Sequence, residues 1–492
     1  MQRACVSVVA VLVLLLCACS GGGGGSTSIA GGVWSKFRHD VNNSGFGNGS
    51  VENNDGCLTS VPVDDGPPPL SPISASPAIG LNGTVYVGSE GGTLIAVDPS
   101  LNLRWKTTQC DTKGTPTASA CSGTLGPFIS SPAVYSNSRS GLTTVIAASE
   151  AGSVWLFDDT GTTAICTGCF RPTALDDAIS GASFVSSPTF MTHPVTLDIT
   201  GIFIGATVTH SGSTDPSGEI YALNSDGTLK WEYPRRGDPP IGTVTSSLAI
   251  GVGNILLFTT DDGNLYALTA NGDRKWTFPI GTGSTTGLRL FDPSPLTASL
   301  VYATAAGQII ALTPDGGLSW RSPPTPGDDF AASLAIGNQP EITATPLPPS
   351  VPTPTPSSGT TPTITPTPLM PSSTLFGITE SGTLVVVDAL KGTLVEPSGV
   401  LPTPIAGNVL SSPALSADLF LVLGTANGML YSVNSRTGLA PNPTPPPLPT
   451  PPCGWPVQLP TPATIRSSPS IGTDGTIYVG AGDGRLYAVG RR

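Results

Sequence analysis

Residues whose types could do chemistry are few in this chain, and they are scattered. Cys166-Thr-Gly-Cys169 has the spacing of a redox thiol pair or of half a zinc site. A zinc site needs a second ligand pair nearby, and none follows; Phe170 stands where a haem-attachment motif would place His. The three histidines, His39, His193 and His210, include no metal-spaced pair. Adjacent carboxylates occur at Asp64-Asp65, Asp158-Asp159, Asp176-Asp177, Asp261-Asp262 and Asp328-Asp329. Most fall where turns are expected, and Asp is favoured there because its carboxylate bonds to nearby backbone amides. Glycine-rich turns resemble phosphate loops in composition, but no helix follows them. No catalytic, cofactor-binding or metal-ligating set is therefore expected.

The elements that position these residues come from a repeat. A Gly, one variable residue and four mostly apolar residues recur eight times, at Gly92, Gly152, Gly218, Gly263, Gly307, Gly382, Gly428 and Gly484. Each apolar run predicts a strand buried on both faces. A Ser followed by Pro or Leu also recurs eight times, at Ser76, Ser131, Ser187, Ser247, Ser294, Ser333, Ser412 and Ser468. After the apolar run comes a polar residue, a Gly-bearing turn and then Trp, at Trp105, Trp231, Trp276 and Trp320, with Ile165 and Val395 at the corresponding count in units two and six. Trp455 resumes the pattern in unit seven. Four antiparallel strands repeated eight times predict an all-β, eight-bladed β-propeller. Unit eight ends at Val489 with its fourth strand missing, whereas Trp34-Ser-Lys-Phe37 precedes any complete unit and resembles a fourth strand. The N-terminal segment is accordingly expected to close the last blade.

Three further features set the address. Met1–Cys19 has an early Arg3, an apolar run from Val8 to Leu16 and Leu16-Cys-Ala-Cys19, which resembles a bacterial lipobox, so residues 1–19 read as a lipoprotein signal with Cys19 as the lipidated residue. The run is short for a membrane-spanning helix, and residues 20–32 read as a Gly-rich tether ahead of one propeller over residues 33–492. The formal charge is −12 with no cluster of Lys or Arg, which excludes a nucleic-acid footprint. Cys57, Cys110, Cys121, Cys166, Cys169 and Cys453 remain after the signal, an even number that suits disulfides in an exported chain. Fifteen pairings are open; proximity favours Cys110–Cys121 and Cys166–Cys169, which leaves Cys57–Cys453. Pro/Thr-rich tracts at about 339–373 and 441–452 cannot form ladders and read as insertions.

The motifs Ser467-Ser-Pro-Ser-Ile-Gly472, Gly475-Thr-Ile-Tyr-Val-Gly480 and Gly227-Thr-Leu-Lys-Trp231 resemble the pyrroloquinoline-quinone (PQQ) type repeat, a family that includes quinoprotein alcohol dehydrogenases and the envelope lipoprotein BamB. The resemblance implies a propeller in which Trp34, Trp105, Trp231, Trp276 and Trp320 dock blade on blade. In the family's enzymes an adjacent Cys-Cys ring and a Trp sandwich the quinone and acidic ligands hold calcium; this chain has no adjacent Cys pair. The expectation is a lipid-anchored, exported scaffold that binds envelope proteins or wall polymer as a monomeric ring without a cofactor, in the outer membrane and periplasm or on the cell surface. The alternatives are a PQQ- and calcium-dependent dehydrogenase and a surface sensor or adhesin-like propeller.

Overall fold

A glycine in the left-handed region turns the chain tightly before each buried strand. Gly92, Gly152, Gly263, Gly307, Gly382, Gly428 and Gly484 have φ between 69 and 91°, where a Cβ would be strained. The strands that follow, such as Leu94–Val97, Asn264–Leu268 and Arg485–Val489, bury their apolar runs on both faces. Gly218 differs because its hairpin is longer: Ile199–His210 pairs with Ser217–Leu223, so Gly218 lies inside the strand.

The computed structural model describes residue 36 and residues 46–111, 122–137, 140–174, 179–193, 198–244, 246–251, 253–281, 289–291, 300–305, 307–325, 328–330, 333–338, 373–395, 399–400, 405, 408–435, 453–460 and 463–490. Within them eight antiparallel sheets follow one another, seven of four strands and one of five, and a separate two-stranded sheet pairs Gln109–Asp111 with Ser122–Thr124. Each of the eight is a blade whose strands run in chain order from the innermost to the outermost, apart from an added strand in blade three and the outermost strand of blade eight. Blade one comprises Ala78–Ile79, Val85–Gly88, Leu94–Val97 and Leu103–Thr107. Blade three gains its fifth strand from Ile179–Ser183, which pairs with the far half of Ile199–His210. Asn338 pairs with Ser373 in blade six, so the first Pro/Thr-rich stretch joins the first two strands of that blade.

Blade eight is completed from the other end of the chain. Leu58–Pro62 pairs antiparallel with Arg485–Val489, from Leu58 opposite Val489 to Pro62 opposite Arg485. The closing strand is thus Leu58–Pro62 and not Trp34–Phe37; Trp34 lies outside the described residues, as do Cys19, the tether, Cys121 and most of the Pro/Thr-rich tracts. One apolar cluster runs through the closure, taking Val51 and Val63 from the N-terminal segment, Leu430 and Val457 from blade seven, Ile471 and Val479 from blade eight, and Val85 and Val97 from blade one. Burial of that surface is what the closed ring gains over an open arc.

The serine repeat builds a second closure, around the axis. The Ser76 amide donates to Ser131 Oγ at 2.9 Å, Ser131 to Ser187 Oγ at 3.0 Å and Ser187 to Ser247 Oγ at 3.0 Å. Ser333 donates to Ser412 Oγ at 3.3 Å and Ser412 to Ser468 Oγ at 3.0 Å. Ser468 then donates to Ser76 Oγ at 2.8 Å, across 392 residues of sequence. Each bond satisfies a buried amide at the start of an innermost strand, where no ladder partner exists.

Candidate functional site

The aromatic residues of the repeat sit between blades. The Trp231 indole lies on Gly272 and donates Nε1–H to the Ala270 carbonyl at 3.0 Å. Trp276 lies on Gly316 and donates to the Pro314 carbonyl at 2.9 Å, and Trp320 lies on Gly392. In each case a Trp on the outer strand of one blade covers the third-to-fourth-strand turn of the next. A Cβ on Gly272 would stand 2.8 Å from Trp231, so the turn needs Gly both for its positive φ and for the close approach of the indole.

Two positions depart from the sequence reading. Ile165 does not take the Trp place in blade two: it is exposed, and Gly168 stands opposite Leu156, as Trp105 stands opposite Ala96. The hairpin between the third and fourth strands of blade two is longer than in blade one, adding the pairs Asp158–Ile165 and Asp159–Ala164 to the ladder, which shifts the count, and the Asp226 carbonyl comes close to Gly168. The second departure is the disulfide pattern. Cys110 is bonded to Cys166, so the Cys110–Cys121 and Cys166–Cys169 pairings are both incorrect. Cys169 is in a disulfide of its own. Neighbouring blades place side by side residues that lie one repeat apart, and the 56-residue separation of Cys110 and Cys166 matches such a period. Cys57 is bonded to Cys453.

Between blades one and two stands a buried carboxylate that a turn reading missed. Asp159 Oδ2 accepts from the Tyr86 hydroxyl at 2.6 Å, and Oδ1 accepts from Trp105 Nε1–H at 2.8 Å and from the Gly161 amide at 2.7 Å. Three donors on one carboxylate are charge-assisted bonds that offset its desolvation. Burial, and then the bond and the negative charge of Asp159, push the Tyr86 hydroxyl far above its ordinary range. The group is a structural clamp, and its Asp159 is buried at 5% exposure.

The second-to-third-strand turns and the linkers into the next blade share one face of the ring. The residue after the turn's first Ser or Thr donates its amide to the linker carbonyl: Glu90 to Pro72 at 2.9 Å, Glu150 to Pro127 at 2.9 Å, Asp261 to Thr243 at 3.0 Å and Glu380 to Asp329 at 2.9 Å. Ala426 donates to Asn408 at 2.8 Å and Gly482 to Thr464 at 2.9 Å in the same way in blades seven and eight, so six blades share the bond. Side chains at this place range from Glu and Asp to Ala and Gly over the same backbone bond, and Glu90 and Asp261 also accept from the linker hydroxyls of Ser74 and Thr243, each at 2.6 Å. Blade three raises its long hairpin on this face, with His210 Nε2 3.4 Å from Glu219. Among the described residues no group of three or more His, Cys, Asp and Glu could hold a metal, and no helix is long and apolar enough to cross a membrane.

Comparison with known proteins follows this geometry. A family model described as outer membrane protein assembly factor BamB matches residues 205–307. The chain is an eight-bladed β-propeller, and within it residues 205–307 match the PQQ-like repeat of that family model. The crystal structure of BamB from Moraxella catarrhalis is similar, at 12% identity and a TM-score of 0.49 over 89% of this chain and 98% of that one. A europium-containing methanol dehydrogenase matches at 14% identity and a TM-score of 0.56 over 92% of this chain and 90% of that one. The quinohemoprotein alcohol dehydrogenase from Comamonas testosteroni matches at 13% identity and a TM-score of 0.54 over 93% and 81%. At such identities the likeness concerns the fold. No curated protein matches the sequence.

Among the described residues, neither these docking indoles nor the cysteines of blade two offer a quinone a site. The faces of Trp231, Trp276 and Trp320 are taken up by the turn glycines of the next blade. Cys166 and Cys169 are in separate disulfides on the outer strand of blade two, so they form no adjacent-cysteine ring.

Proposed function

We propose that the protein is an exported propeller, anchored through a lipidated Cys19, that serves as a protein- or polymer-binding scaffold in the cell envelope, in the outer membrane and periplasm or on the cell surface. In this reading it is not an enzyme and its ring works as a monomer. One observation carries the reading. The repeat's indoles, its ring serines and the clamped carboxylate of Asp159 are engaged in blade-to-blade contacts, whereas on the turn-and-linker face the side chain varies from blade to blade over one shared backbone bond. Loops on a rigid ring are where recognition is placed. The BamB family match over residues 205–307 agrees with such a role.

Site-specific photo-crosslinking in intact cells tests it. A crosslinker at Glu150 or Glu380 should capture a discrete envelope partner, and one at Asn82 or Asp474 on the opposite face should capture far less. Equal capture on both faces, or none, counts against the scaffold. Reconstitution with PQQ and calcium tests the dehydrogenase alternative, which rests on the likeness to the two quinone enzymes; substrate-dependent dye reduction would replace the scaffold reading.

A further inference from the structure

The seam between the last and first blades holds a cavity of about 530 Å³ that opens on the turn-and-linker face. Its wall combines the linker residues Ser74 and Arg466 with Glu90, Gly482 and Asp483 from the two turns. The charged groups differ in how they are satisfied. Asp483 is engaged at both oxygens, by the Tyr487 hydroxyl at 2.6 Å and the Arg485 amide at 3.3 Å. Glu90 accepts from Ser74 Oγ at 2.6 Å through one oxygen, which leaves the other open. Arg466 is exposed and, among the described residues, its guanidinium has no hydrogen bond or ion pair. An open positive group and an open negative group therefore share one cavity without pairing to each other.

The positive charge belongs to this seam and not to the repeat. Two residues before the ring serine, where blade eight has Arg466, other blades have Ser74, Ile129, Val185 and Leu410. A guanidinium takes a carboxylate through two parallel hydrogen bonds, and a carboxylate takes an ammonium. The volume falls within the roughly 300–1,000 Å³ of small-ligand sites. An extended di- or tripeptide separates its ends by roughly 7–11 Å, a span that can bridge two charges too far apart to pair directly.

We propose that this cavity binds a short zwitterionic peptide, with its C-terminal carboxylate on Arg466 and its N-terminal ammonium on Glu90. The inference rests on the recognition reading above and names a ligand class for that face. Calorimetric titration of trialanine into the detergent-solubilised full chain tests it. Saturable binding is expected, with Arg466→Gln and Glu90→Gln each weakening it about tenfold. The C-terminal amide of trialanine should lose as much as Arg466→Gln does, and N-acetyl-trialanine as much as Glu90→Gln does. Both side chains are at the surface, so unchanged melting curves verify that the variants are folded. Absence of saturable binding at about 10 mM, or capped peptides that bind as well as trialanine, overturns the proposal. Should partner crosslinks form on this face while trialanine does not bind, the cavity assignment alone falls and the scaffold reading stands.

Discussion

The junction of blades one and two and the junction of blades seven and eight make the same contact from different material. At the first, Trp105 donates its indole N–H to the Asp159 carboxylate of the following blade, and Cys110–Cys166 ties the two outer edges together. At the second, Trp455 donates to the Asn54 carbonyl at 3.0 Å, and Cys57–Cys453 ties the edges. Blade eight has only Gly490 described after its third strand, so residues 54–57 stand in for its missing turn. The Gly490 amide donates to the Cys57 carbonyl at 3.0 Å, and Asn54 Nδ2 donates to the carbonyls of Gly475 and Val489 at 3.0 and 2.9 Å. Asp418 of blade seven holds the incoming segment through Ser50 Oγ at 2.8 Å and the Val51 amide at 3.0 Å. The ring thus closes by rebuilding the repeat's own docking contact from two chain ends. Elsewhere the turn is covalent; here its entropy of assembly must be offset by added contacts.

Removal of the closing segment should therefore have the largest effect. Deletion of residues 33–61 takes away nearly all of the outer strand of blade eight, the acceptor of Trp455 and the buried Val51. The expected loss is on the order of 10 kcal/mol, comparable to the whole stability of a typical domain, and the melting transition should broaden or vanish. An unchanged calorimetric melt would show that the N-terminal contacts do not hold the ring. Cys57→Ser alone should lower stability by about 6 kcal/mol on chain-entropy grounds for a 396-residue loop.

This closure was only partly legible in the sequence. Leu94–Val97 and six of its seven counterparts announce themselves because a left-handed Gly and a run buried on both faces leave a strong local signature. Leu58–Pro62 has a left-handed Gly56 ahead of it but no buried apolar run and no Trp: it is a partly exposed edge strand, and what makes it a strand is its partner 427 residues away. The serines were visible as a pattern but not as a ring, since period alone does not tell a turn residue from an inter-blade donor. Asp159 looked like any other turn carboxylate; the tyrosine and tryptophan that clamp it come from a different blade, 73 and 54 residues earlier. The Cys110–Cys166 bond had a signal that went unused, namely a separation equal to the Ser131–Ser187 period.

Asp159 sharpens the contrast between the two junctions. Asp159→Ala leaves a buried tyrosine hydroxyl and a buried indole N–H without an acceptor, a loss of about 3 kcal/mol. Asp159→Asn keeps one acceptor oxygen and should lose about half as much. Urea unfolding measures both, and a loss below about 0.5 kcal/mol for Asp159→Ala would mean that the disulfide and packing carry this junction alone.

The smallest effect separates the junctions by pH. Burial, followed by the bond to Asp159 and its charge, pushes the Tyr86 hydroxyl upward, so folding holds the phenol neutral. Burial also raises Tyr135, Tyr233, Tyr266 and Tyr478. Their folded-state pKa lies above the unfolded value near 10, so the stabilisation is complete below pH 10 and is lost as the unfolded chain begins to release those protons. Each such tyrosine adds a slope of about 1.4 kcal/mol per pH unit. Stability of the intact protein should fall steeply between about pH 10 and 11, and Tyr86→Phe should flatten that fall by about 1 kcal/mol at pH 11. Cys57→Ser, which touches the junction whose indole meets a non-titrating carbonyl, should lower the whole curve without changing its slope. Parallel slopes for Tyr86→Phe and the intact protein would mean that Tyr86 ionises freely in the fold, and the clamp at Asp159 would lose its physical basis.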